Sequence, residues 1–254
     1  EPAWGLSSYR NHVLFCEYGV IMYNTGYKPT YSFSYYVWYS DDYGVTWSKK
    51  FDSRNAPEGF FATPETYRGF HLHGCVYDQY WDRFWVWSGD NNGTRMLMWS
   101  DDFGETWEKI ETSAYEPLDG NILQVLSAVV LPHCILFTHD STFDQGIYRV
   151  IRREKDEVPI IEMAYNFGPF TAVQPTAPTH FGRKIVRVGD LILLPFTCGG
   201  IDYEDNLSFI IGTYDGFHFF EVWKNAYASL PGDDMMRLRV DKEKYYIDIG
   251  DSRT

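Results

Sequence analysis

An all-β fold of repeated four-stranded modules is predicted by three features. Strand-length runs rich in aromatics fill the chain, no long stretch keeps an apolar period of 3.6, and one hairpin phrase is spelled twice. The 254 residues are 44% hydrophobic and 19% aromatic, with 20 Tyr, 18 Phe and 9 Trp. Such side chains suit half-buried pleated surfaces. The phrase SDDYGVTW at Ser40–Trp47 returns as SDDFGETW at Ser100–Trp107. Recurrence at a module-like spacing signals an internal repeat.

Segments aligned on that phrase yield the modules in order. The first, 12–51, reads HVLFCEYG, VIMYNTG, SFSYYVWYSDD and VTWSKKF, here called strands A to D. The second, 73–110, reads HGCVYDQ, RFWVWSG, TRMLMWSDD and ETWEKI. LSAVVLP, CILFTHD, GIYRVIRR and VPIIEM make the third, 126–163. The fourth, 184–223, has KIVRVGD, LILLPFTCGG, LSFIIGTYDG and FHFFEVW. A partial fifth, 236–254, holds MRLRVDK and KYYIDIGD, its other strands expected from Glu1–Arg10 or from sequence beyond this chain.

Short antiparallel strands in modules of this size predict a single domain, 1–254: a β-propeller of about five four-stranded blades. Alternating positions such as Trp85 and Trp87, or Phe209 and Ile211, fill the space between blades. A β-sandwich is the rival, but it supplies no reason for the recurring turn.

SDDYGVTW and SDDFGETW resemble the Asp-box, or BNR, motif Ser-x-Asp-x-Gly-x-Thr-Trp of sialidase-like propellers. Both match at every defined position: Ser40, Asp42, Gly44, Thr46 and Trp47, then Ser100, Asp102, Gly104, Thr106 and Trp107. TYDGFHFF, Thr213–Phe220, resembles an eroded third copy that keeps Asp215 and Gly216. The chemistry suits a hairpin between strands C and D. The Asp carboxylate accepts backbone N–H groups of its own turn, and the Gly takes a positive φ. The resemblance implies that these residues are structural, on the face opposite any ligand site.

The ligand face is then formed by the D-to-A and B-to-C loops, since loops on a rigid scaffold carry function. Before strand A come Arg10, His71 with His73, His180 with Arg183, and Arg237; after strand B come Asn24, Asp90, Asp140, Asp202 and Asp251. Two polar rings are expected there. His71 and His73 have a spacing open to metal ligation, but no third ligand adjoins them, so neither a metal nor a cofactor is expected.

Three function classes fit. Sugar rings stack on aromatic faces while polar groups bind their hydroxyls, which makes Trp4, Tyr27, Phe60, Tyr203, Asp90, Asp140, Asp202, Arg10 and Arg183 candidate glycan-binding residues. The composition and compact repeat are similar to receptor-binding propellers of tailed-phage tail proteins. That similarity implies a cell-surface glycan or polysaccharide as partner, a homotrimer within a larger assembly, and an extracellular or virion-surface location. The alternative is an exo-acting glycoside hydrolase. The sialidase resemblance implies carboxylate-gripping arginines, for which Arg10, Arg183 and Arg237 are candidates, although Arg10 stands in YRNH rather than Phe/Tyr-Arg-Ile-Pro. Five-bladed glycosidases imply paired carboxylates, open among Asp140, Asp202, Glu204 and Asp251. A protein-binding platform is the third class.

Charge and patterning exclude other classes. The formal net charge is −13 with no sustained basic cluster, so a nucleic-acid backbone is not an expected partner. No apolar run approaches the roughly 18 residues of a membrane-spanning helix, and insertion is not expected. EPAWGLSSYR lacks a signal-peptide pattern and reads as the start of a processed or excised segment. Cys16, Cys75, Cys134 and Cys198 stand singly and are expected as free buried thiols.

Overall fold

A computed structural model describes residues 5–17, 20–24, 28–33, 36–56, 71–89, 96–110, 124–141, 146–154, 157–166, 179–182, 184–199, 208–225, 237–241 and 246–250. Those residues form antiparallel β-sheets with a single 3-10 turn, Ser53–Asn55. The chain divides into two compact units, Glu1–Val125 with Arg153–Pro159, and Leu126–Arg152 with Ile160–Thr254.

In the first unit the strands are β1 (Leu6–Tyr9), β2 (His12–Cys16), β3 (Val20–Asn24), β4 (Lys28–Phe33), β5 (Tyr36–Ser40) and β6 (Ser48–Asp52). Sheet one has the order β1-β2-β5-β6, and β3 pairs only with β4 as a separate hairpin. This corrects the expected first module. HVLFC is its second strand, VIMYN belongs to an inserted hairpin, and Leu6–Tyr9 opens this sheet instead of completing the fifth module. The reason lies in burial. LSSY is mostly exposed and shows no apolar alternation, because an edge strand needs only backbone pairing on one side. HVLFC buries Leu14 and Cys16 on one face.

Sheet two follows the expected boundaries closely: β7 (Leu72–Asp78), β8 (Arg83–Ser88), β9 (Met96–Ser100) and β10 (Glu108–Ile110), in the order β10-β9-β8-β7. One apolar cluster joins the facing surfaces of the two sheets. Leu14, Cys16, Val37, Tyr39 and Phe51 meet Leu72, Cys75, Tyr77, Phe84, Val86, Met96 and Met98. The opposite face of sheet two buries Trp85 and Trp87, at 1% and 2% exposure. The run RFWVWS is apolar on both faces because both are covered.

The second unit contains the third and fourth modules. Their strands are β11 (Val125–Val130), β12 (Cys134–Ser141), β13 (Gly146–Ile151), β14 (Ile161–Asn166), β15 (Thr179–Gly182), β16 (Val186–Val188), β17 (Leu191–Gly199), β18 (Ser208–Thr213) and β19 (Phe219–Asn225). β11 pairs β12 and β16 pairs β17, which gives each module its four strands. β15 was expected to be loop. It pairs with the ends of both β12 and β17 and merges the two modules into one nine-stranded sheet. Ile192, Leu194, Phe196, Phe209 and Ile211 pack with Leu131, Cys134, Leu136 and Ile147. Of the fifth module, β20 (Arg237–Asp241) pairs β21 (Tyr246–Gly250), as expected.

Candidate functional site

Register divides each four-stranded sheet into two ends. In sheet two, Asp78 pairs Arg83 and Phe84 pairs Ser100 at one end, whereas Leu72, Ser88 and Met96 align at the other. The repeated turns close the first end. In each, two successive residues take positive φ: Tyr43 and Gly44 at 63° and 84°, Phe103 and Gly104 at 56° and 86°. Glycine adopts that region at little cost, while the aromatic costs about 1 kcal/mol.

The side chains offset this strain. Asp42 Oδ1 accepts from Thr46 N at 2.8 Å and Oδ2 from Thr46 Oγ1 at 2.6 Å. Ser40 Oγ donates to Asp42 at 2.7 Å and accepts from Gly44 N at 2.8 Å. Asp102 repeats every bond with Ser100, Gly104 and Thr106. Asp215 is the shortened version, accepting from Phe217 N and His218 N, both at 2.8 Å. Every oxygen of these carboxylates is engaged in holding its own turn. Asp42 is lowered to about 2, first by the Thr46 hydroxyl. These groups hold hairpins.

The other end of sheet one carries a half-exposed aromatic and charged cluster that the sequence pattern did not reveal. Leu6, Phe15, Trp38 and Lys49 lie in one cross-strand row. The Trp38 indole donates to Glu17 Oε1 at 3.1 Å and packs edge-on to Tyr36 at 5.6 Å. Lys49 and Arg54 stand 4.7 and 5.1 Å from the Tyr36 ring centre. Arg54 also grips Asp52 with two N–H groups, each at 2.9 Å. That fork, with Lys49 beside it, lowers Asp52 to about 2. Asp52 is therefore an ionised acceptor at neutral pH, unsuited to donate a proton. Aromatic faces, hydrogen-bonding acids and exposed cations together form a surface able to bind a polyhydroxylated ligand.

At the same end of sheet two, His71 and His73 are buried. His73 Nδ1 donates to the Val125 carbonyl at 3.1 Å, and its Nε2 lies 2.9 Å from His71 Nε2. Among the described residues no three potential ligands converge on a metal position. Gly89 is required beside them, because a Cβ there would lie 2.2 Å from His73 Cε1.

In the second unit, β15 places Asp140 opposite Phe181 and Phe181 opposite Thr197. The strand end carrying Asp140 is thereby tied to β17, whose continuation in sequence leads to Asp202. The backbone of Arg237 lies in β20 opposite Gly250, and that of Asn24 pairs Lys28 in β3. His180 pairs Cys198. Trp4, Tyr27, Phe60, Asp90, Arg183, Asp202, Tyr203, Glu204 and Asp251 lie outside the described residues.

Arg10 is a correction. Expected beside the ligand face, it lies in the turn between β1 and β2, at the end closed by the repeated turns. The cause is the strand reassignment: Arg10 follows the sheet's first strand instead of preceding it. It has φ 54° and its guanidinium stands 5.2 Å from the Tyr9 ring centre.

No protein-family model matches the chain, and no curated protein is similar to it in sequence. Solved structures are similar in fold. A GH74 enzyme of Niastella koreensis aligns over 85% of this chain at 14% identity and TM-score 0.50. The chain spans 29% of that enzyme's length. An endo-arabinase of Bacteroides thetaiotaomicron aligns at 12% identity and TM-score 0.46, over 92% of this chain and 82% of its own. A thermostable family-43 glycoside hydrolase aligns at 10% identity and TM-score 0.42, over 89% and 71%. Identities this low bear on architecture alone, and the GH74 alignment together with the four-stranded antiparallel modules identifies the fold class of this chain as a β-propeller.

Proposed function

We propose that this chain is a carbohydrate-binding β-propeller that recognises a glycan or polysaccharide through the end of its sheets opposite the repeated turns. The observation that carries this reading is the cluster of Tyr36, Trp38, Glu17, Lys49, Asp52 and Arg54. Aromatic surface stacks on sugar rings, Glu17 and the exposed Lys49 and Arg54 bond hydroxyls, Asp52 holds Arg54 in place, and no shifted proton donor is needed. The carbohydrate-active names of its structural neighbours agree with a sugar ligand. On this reading the turns are Asp-box hairpins, and the chain serves in extracellular or virion-surface attachment, as a trimer within a larger assembly.

The test is retention on immobilised polysaccharides. Trp38→Ala should weaken retention about tenfold, in line with the loss of one aromatic anchor, while Trp47→Ala leaves it unchanged. Equal retention by wild type and Trp38→Ala would remove this cluster from the site.

A second reading, an exo-acting glycoside hydrolase, is favoured by the β12–β15–β17 junction, which ties the strand of Asp140 to the strand preceding Asp202. Turnover of fluorogenic glycosides, abolished in Asp140→Asn or Asp202→Asn, would establish it over binding alone.

A further inference from the structure

The sequence separates Cys16 and Cys75 by 75 − 16 = 59 positions, yet the fold brings both to one glycine. The Gly5 carbonyl accepts from Cys16 N at 2.8 Å and from the Cys75 thiol at 3.0 Å. A Cβ added to Gly5 would sit 1.9 Å from Cys16 Sγ, so that sulfur also lies directly over Gly5. Both thiols are buried in the cluster between sheets one and two, at 1% and 4% exposure. Burial first, then the Cys16 thiol, pushes Cys75 well above the usual thiol range.

We propose that Cys16 and Cys75 are a latent disulfide pair, able to form a covalent staple between strand β2 of sheet one and strand β7 of sheet two. The reaction converts two S–H bonds into one S–S bond. Two protons leave, and two electrons pass to a small-molecule disulfide such as oxidised glutathione, which is cleaved to two thiols. A mixed disulfide on one cysteine is resolved by attack of the other. The attacking species is the thiolate, which burial suppresses in the closed protein, so the bond forms while the sheets assemble or open. Once closed, either redox state persists. Cys134 differs: burial raises it to about 11, and the charged groups beside it are Arg149, Arg152, Asp215 and Glu162.

The experiment is refolding of the full chain in a glutathione redox buffer, then quenching with iodoacetamide and peptide mapping. A Cys134→Ser/Cys198→Ser variant is run beside the wild type. In both, the major product should contain a linked Cys16–Cys75 peptide. The double variant should be about 2 Da lighter than its reduced form and take up no alkyl group. The closed loop constrains the unfolded chain, so the linked form should melt on the order of 5–10 °C higher than the reduced form. Singly alkylated Cys16 and Cys75 throughout, or a linked form melting below the reduced one, would overturn the proposal.

Discussion

The two copies of the repeated turn have the same internal hydrogen bonds and different surroundings. Among the described residues, Trp47 bonds only the Gly44 carbonyl of its own turn, at 2.9 Å, and is 43% exposed. Trp107 bonds Gly104 O at 3.2 Å and also Lys50 O of the preceding sheet at 2.9 Å, and packs edge-on to Phe51 at 5.5 Å. Beneath the second turn, Arg83 is fully buried. It grips both oxygens of Asp101 at 2.7 Å and stands 4.4 to 5.8 Å from the ring centres of Trp81, Trp85 and Trp99.

Register puts His12 at the corresponding place under the first turn, because Val13 pairs Ser40 as Phe84 pairs Ser100. There His12 Nδ1 lies 2.6 Å from the Tyr39 hydroxyl, and burial, with Asp41 and Asp82 nearby, raises Tyr39 to about 12. Tyr39 thus stays protonated. The difference teaches that the motif encodes a hairpin, while the neighbouring strand decides how much that hairpin contributes to stability.

Substitutions in matched pairs should break this contrast. The largest effect is expected at Arg83. Arg83→Ala removes the fork on Asp101 and leaves space among three indoles, costing about 3–4 kcal/mol, against roughly 1–2 kcal/mol for His12→Ala; urea denaturation measures both. Trp107→Ala should cost about 2–3 kcal/mol and Trp47→Ala below about 1 kcal/mol, because only the first removes inter-sheet packing.

Glycine gives a smaller, sharper test. A Cβ on Gly104 would lie 2.5 Å from Lys50 Cβ, whereas on Gly44 it would lie 3.3 Å from the movable Trp47 ring. Both substitutions share the positive-φ penalty, so Gly104→Ala should exceed Gly44→Ala by roughly 1–2 kcal/mol. Equal losses would mean that the second turn is not seated on sheet one.

Acid should act on the turns in common. Asp42 falls from 3.8 to about 2. Asp102, despite a burial effect in the opposite direction, is lowered by Thr106 and Ser100, and Asp215 is lowered chiefly by His218. Folding thus favours the ionised forms. Their stabilisation is complete above about pH 4 and is lost as pH falls toward 2. Thermal melts of Asp42→Asn and Asp102→Asn across that range should show a shallower acid slope than wild type. An unchanged slope would remove these carboxylates as its source.

Much of the fold was legible because its signals are local. Ser, Asp, Gly and Thr spaced within seven residues can satisfy one another without help, and RFWVWS announces a strand covered on both faces. The inserted hairpin β3–β4 was misread because VIMYN has the apolar character of a sheet strand, while LSSY lacks it. The candidate cluster was harder to see. Glu17 and Trp38, or Lys49 and Arg54 around Tyr36, meet only after β2, β5 and β6 pair, and no spacing in the chain announces that.

What the sequence by itself determined is the all-β class, the strands of the second, third and fourth modules, and the hairpins that punctuate them. Their hydrogen bonds close within a few residues, so local chemistry suffices. Only tertiary structure decided that Arg10 belongs to the turn end, that β15 joins two modules, that His71 and His73 bond each other, and that two distant thiols share Gly5. Strand pairing partners are chosen by which buried faces meet, and that choice depends on the whole chain at once.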